Sequence, residues 1–150
     1  VHSGTALITW APGFDPVDAV ADQNIIAVDD AATPLNVTNA GSLQLKDSSE
    51  NAAQLDAFNW EAGGYYRLLA QWNFTDAKIG DLPAGKMRVG YMATTGQITW
   101  RGTPVDYCGA FGLDGTLRLA RGFGYLAHYG KLAMYSTVLS DDELRGEAFA

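Results

Sequence analysis

The sequence has one cysteine in 150 residues, Cys108, so it cannot form an internal disulfide. A thiol of this kind is expected to serve as a small buried hydrophobe. Its isolation fits a cytosolic origin or a particle assembled in a reducing cell. There are two histidines, His2 and His128, too few for a zinc site and the only candidate bases for a reactive thiol. No apolar run is long enough to span a bilayer. The chain starts at Val1 with no charged region leading into an apolar core, so no signal peptide is expected; either the start is trimmed or residues precede it. Positive charge is also scarce: ten Lys and Arg stand against 17 Asp and Glu, for a net charge of −7. That balance argues against nucleic acid and anionic membrane as partners.

Hydrophobic residues make up 47% of the chain and charged residues 18%, with 17 glycines. At 150 residues the chain is most simply one domain with a core large enough to fold unstapled. Period-two alternation dominates. The clearest case places Tyr66, Leu68, Ala70, Trp72 and Phe74 on one face, with Arg67, Leu69, Gln71 and Asn73 on the other. It predicts a central strand. Residues 86–93 predict another strand, with Met87, Val89, Tyr91 and Ala93 inward. Thr94-Thr95-Gly96 then turns it into a partner at residues 97–101, where Ile98 and Trp100 share a face. Asp114-Gly115 signals a further hairpin. Residues 41–46 read as strand, whereas residues 52–60 fit a strand or a short helix equally well. Residues 1–40 are less regular. Residues 5–10 alternate as a strand should, but Pro12, Gly13, Pro16, Pro34, Asn36 and Asn39 interrupt the chain from there to residue 40. This part is expected to be an arm or a set of outer strands, with residues 41–150 forming a sandwich.

The C-terminal stretch changes period. Gly130, Leu132 and Met134 alternate with Lys131, Ala133 and Tyr135, as in a strand. Ser140 and Glu143 then form a capping box, with Asp141 and Asp142 at the positive end of the helix dipole. Leu139 is placed to staple onto Leu144. The run 131–135, followed by Val138-Leu139-Ser140-Asp141-Asp142-Glu143-Leu144, resembles the end of concanavalin A-like jelly rolls, in particular the laminin-G-like group. Leu113-Asp114-Gly115-Thr116-Leu117-Arg118-Leu119 is similar to the preceding turn and strand of that group, and residues 41–45 to an opening strand. The resemblance implies an all-β antiparallel jelly-roll sandwich with a short C-terminal helix. It also implies a carbohydrate or glycoprotein ligand, and such modules occur on cell surfaces and in bacteriophage capsids and tails.

The fold's enzymatic relatives are glycosidases, which need two carboxylates delivered from alternating strand positions. Glu50, Glu61, Glu143 and Glu147 are the only glutamates, and none falls in a segment that reads as a strand. No catalytic residue is therefore assigned. Calcium sites at the rim of laminin-G-like domains direct attention to the turn acids Asp47, Asp76, Asp81 and Asp114. Their simpler reading is turn chemistry, and no metal or other cofactor is expected. Sugar recognition calls for an aromatic plane beside hydrogen-bonding groups, which nominates Trp60, Tyr65, Trp100 and Arg101. Core packing is the competing reading for each tryptophan. Asn36-Val37-Thr38 and Asn73-Phe74-Thr75 match the glycosylation sequon. The expected function is a non-enzymatic, lectin-like recognition and assembly module at a cell or virion surface, with other subunits, including copies of itself, as partners. The alternative is a purely structural subunit such as a capsid decoration or tail protein.

Overall fold

The computed structural model describes residues 2–18, 23–28, 32–38, 40–56, 58–111, 117–119 and 127–148. Its strands are β1 (Ser3–Pro12), β2 (Gln23–Val28), β3 (Ala32–Val37), β4 (Leu43–Lys46), β5 (Ala52–Leu55), β6 (Tyr66–Asn73), β7 (Lys86–Met92), β8 (Ile98–Trp100), β9 (Val105–Asp106), β10 (Leu117–Leu119) and β11 (Ala127–Tyr135); α1 (Asp141–Ala148) closes the order. They build two antiparallel sheets. The first runs β11-β1-β6-β7-β8, with β9 also on β7, and the second runs β10-β2-β3-β4-β5. This is the expected all-β sandwich with a short C-terminal helix.

Alternation explains the core. Ile8 and Trp10 of β1, Leu68 and Trp72 of β6 and Val89 of β7 meet Leu35, Leu43 and Leu45 of the second sheet in one buried cluster. The inward face expected for β6 is thus observed from Tyr66 to Trp72. Phe74 departs from it: β6 ends at Asn73, and Phe74 is 47% exposed. The turn 93–97 forms as read, with Gly96 at φ 88° and its N–H bonded to the Ala93 carbonyl. Of residues 52–60, Ala52–Leu55 form the strand β5, and residues 58–60 lie in no helix or strand.

The N-terminal segment differs most from its expected place. β1 pairs with β6 on one side and β11 on the other, so residues 3–12 lie inside the first sheet rather than in an arm or an outer strand. β3 likewise pairs with both β2 and β4. Its Pro34 falls between Ala32 and Leu35, where the pairing with β2 shifts register, so the missing N–H is tolerated. The Asp114-Gly115 hairpin lies outside the described residues.

The outer face of the first sheet is covered. Leu7, Leu69 and Met92 pack beneath Leu139 and Leu144, and Leu144 is fully buried. The capping box is reciprocal: Glu143 N–H donates to Ser140 Oγ at 3.1 Å, and Ser140 N–H donates to Glu143 Oε1 at 3.1 Å. Under this lid lies a polar network. Gln71 Nε2 donates to the Leu139 carbonyl at 2.7 Å, and Leu139 N–H donates to Thr5 Oγ1 at 3.0 Å. Arg88 donates from Nε and Nη2 to Gln71 Oε1 at 2.9 and 2.7 Å.

Candidate functional site

The four nominated binding residues occupy four different places. Trp60 is 1% exposed and lies in an aromatic cluster with Trp10, Phe14 and Phe58. Its Nε1 donates to the Phe14 carbonyl at 2.9 Å. That bond satisfies the indole's one donor, and the residue serves the core. The chain turns directly afterwards, with Gly63 at φ 80°, and presents Tyr65 at 42% exposure. The Arg67 guanidinium lies 5.1 Å from the centre of the Tyr65 ring. Tyr65 is thus an aromatic plane braced by a cation and open to solvent.

Trp100 sits on β8 at the covered face of the first sheet. The Arg88 guanidinium lies 4.0 Å from its ring centre, and its Nε1 donates to Asp141 Oδ1 of α1 at 3.0 Å. One ring face and the indole donor are thereby engaged, and the residue is half-buried. Arg101 turns toward the second sheet. Its Nη1 donates to the Gln54 carbonyl of β5 at 3.3 Å, and its Nε donates to the Thr103 carbonyl at 2.8 Å.

The turn acids act within the protein. Asp47 is buried and saturated: Oδ1 accepts from Ser49 N–H and Asn51 N–H, both at 2.9 Å, and Oδ2 accepts from Asn51 Nδ2 and Cys108 N–H, both at 2.8 Å. Burial pushes its carboxyl up, but the bonds from Asn51 and Cys108 outweigh burial and hold it below the ordinary 3.8. Asp81 takes a two-pronged bond from Arg88, at 3.1 and 2.9 Å, which lowers its carboxyl in the same direction. Asp76 is exposed in the loop after β6, and Asp114 lies outside the described residues. Among the described residues no group of three or more His, Cys, Asp or Glu could hold a metal ion. Glu50 bonds Lys46 at 2.8 Å, Glu61 lies in a loop, and Glu143 and Glu147 lie on α1.

Both sequon asparagines are buried. Asn36 lies within β3, and Asn73 Nδ2 donates to the Ala77 and Leu82 carbonyls at 2.9 and 3.1 Å. An asparagine whose amide is spent in this way cannot carry a glycan without opening the loop. Cys108 is half-buried, with its thiol 3.3 Å from Ser48 Oγ. Burial raises that thiol, but the Ser48 and Ser49 bonds prevail and lower it.

One surface was not nominated from the sequence. The outer face of the second sheet is uncovered by any described helix and carries polar side chains along β2 to β5, with Asn24, Gln44 and Gln54 half-buried and Asn36 buried. Gln44 Nε2 donates to Gln54 Oε1 at 3.1 Å, and Gln54 Nε2 donates to Asp56 Oδ1 at 2.6 Å. Ser42 Oγ donates to the same Asp56 oxygen at 3.3 Å. The polar position of β4 is legible as alternation, whereas residues 52–60 fit a strand or a short helix equally well. The alignment of these side chains into neighbours required the register.

No protein-family model and no curated protein matches the chain. Solved structures do match in fold. The botulinum neurotoxin serotype D binding domain aligns at TM-score 0.61 and 10% identity, covering 97% of this chain and 36% of that one. The receptor binding domain of the botulinum neurotoxin C/D mosaic serotype aligns at 0.63 and 11%, covering 97% and 35%. The type G receptor binding domain aligns at 0.55 and 9%, covering 97% and 37%. The chain thus spans about a third of the length of these domains, and at such identity the likeness is one of fold.

Proposed function

We propose that this chain is a non-enzymatic recognition and assembly module, lectin-like, that binds carbohydrate or glycoprotein at a cell or virus surface. The observation that carries the reading is Tyr65, an exposed ring braced by Arg67 at the end of the sandwich. An aromatic plane of this kind offers apolar stacking to a sugar's C–H face. In this reading the other nominated residues act apart from Tyr65: Trp60 from within the core, Trp100 from the edge strand β8 and Arg101 from the loop after it. Receptor binding is also what the fold's toxin neighbours are named for. We take the sandwich to be a concanavalin A-like, laminin-G-like jelly roll and a single domain without a cofactor.

A glycan array with wild type and Tyr65→Ala tests this. Wild type should bind a restricted set of glycans at micromolar strength, and Tyr65→Ala should weaken those signals about tenfold or more. An array blank for wild type would sink the reading. A second reading, a structural subunit of a virion or other assembly, draws on β11. This long strand ends the first sheet, pairs with β1 among the described residues, and carries Met134 at 53% exposure. A blank array together with a stable oligomer in solution would favour it.

A further inference from the structure

The outer face of the second sheet carries a row of side-chain amides that the Tyr65 site does not use. Asn24 pairs directly with Asn36, Asn36 with Gln44, and Gln44 with Gln54. Residues directly opposite in antiparallel strands project to the same face. The adjacent positions Leu35, Leu43 and Ala53 point into the core, so the four carboxamides share the outward face. Strands lie about 4.8 Å apart, and four of them spread the row over about 14 Å.

The row is organised before any ligand arrives. Gln44 donates to Gln54 and Gln54 to Asp56, and the Gln54 backbone is held by Arg101. Gln54 Nε2 spends its two N–H groups on Asp56 Oδ1 and Ser42 Oγ, at 2.6 and 3.5 Å, but Gln44 has a second N–H and both carbonyl oxygens have further lone pairs, so hydrogen-bonding capacity stays in place. Fixing side chains in advance lowers the ordering cost of binding. Asn36 is buried in the middle, while Asn24, Gln44 and Gln54 are half-buried and reachable. The row itself is uncharged. Asp56 and the Arg101 guanidinium border it with opposite charges, and the nearby Lys46 is paired with Glu50 at 2.8 Å. Paired donors and acceptors without net positive charge suit hydroxyl groups and disfavour anions.

We propose that this face binds a neutral oligosaccharide lying across β2 to β5, with its hydroxyls bonded to Asn24, Gln44 and Gln54. The proposal takes its ligand class from the carbohydrate reading above and places the contact on a different face. The test begins with a glycan array on wild type. The strongest neutral oligosaccharide is then titrated into wild type, the Gln44→Ala/Gln54→Ala double variant and Tyr65→Ala, with melting measured for each. The double variant should bind at least about tenfold more weakly at unchanged melting temperature. Should it melt early, Gln44→Met, which keeps the length of the side chain and loses its amide, should show the same loss. Double-variant affinity within about twofold of wild type overturns the proposal, and if Tyr65→Ala alone abolishes binding, the carbohydrate reading survives without it. An array bound only through sialylated or sulfated glycans also overturns it. A blank array overturns both.

Discussion

The two outer faces of the sandwich begin alike and end differently. Both alternate polar residues with core residues, as half-buried strands do. On the first sheet the polar set includes Thr5, Gln71 and Arg88, and all three are buried beneath α1 and the segment before it. On the second sheet Gln44 and Gln54 stay half-exposed and bond one another and Asp56. A polar side chain under a lid contributes stability, because losing its partner strands a desolvated group. The same side chain without a lid contributes little, and remains available to a ligand. The difference is made by a segment more than 65 residues away in sequence from Gln71.

Substitutions on the two faces should therefore separate by size. Leu144→Ala, at the centre of the lid, should cost about 2–5 kcal/mol in chemical denaturation. A loss below about 1 kcal/mol would mean that the helix does not hold the face closed. Arg88→Met should cost about 1–3 kcal/mol, since Gln71 Oε1 loses two donors within a buried site. Ser140→Ala should cost about 1 kcal/mol through the helix cap. Acid should act on the covered face in the same sense but weakly. The Asp81 carboxyl is held low by Arg88, so its contribution is complete above the ordinary 3.8 and fades as pH falls through the lowered value. The carboxylate is 72% exposed, so solvent screens the pair; Asp81→Asn should only slightly flatten the acid limb of the stability profile. On the open face Gln44→Ala should move stability by no more than about 0.5 kcal/mol. A cost above about 1.5 kcal/mol there would erase the contrast between the faces.

The sequence made local features legible, and features set by distant chain were not. The inward face of β6, the Thr94-Thr95-Gly96 turn and the Ser140–Glu143 cap depend on neighbours a few residues away, and each was readable. The place of β1 is not legible because its pairing with β6 and β11 joins residues as far apart as Trp10 and Tyr66 or Thr5 and Tyr135. Alternation places Gln71 and Arg67 on the face of β6 opposite the core, but only the structure shows that both are buried there. Trp60, beside a turn, resembled a surface aromatic until Phe14 and Trp10 were seen to enclose it. Tyr65 stays accessible and Trp100 half so. The amide row went unnoticed because asparagine and glutamine at outward strand positions are common, and only the register aligns them.

The pairing of β1 with β11 also sets a timetable. Thr5 lies opposite Tyr135, so the first strand gains its second neighbour only after nearly all of the intervening chain exists. During synthesis the outer edge of β1 is open, and a chain emerging at about 5–20 residues per second leaves it so for many seconds. Until β11 arrives, that edge can pair with a strand of another chain. Loop closure over so long a span is intrinsically slow. The vulnerable state of this protein is therefore a nascent one, with β2 to β5 free to pair and the first sheet waiting for its last strand.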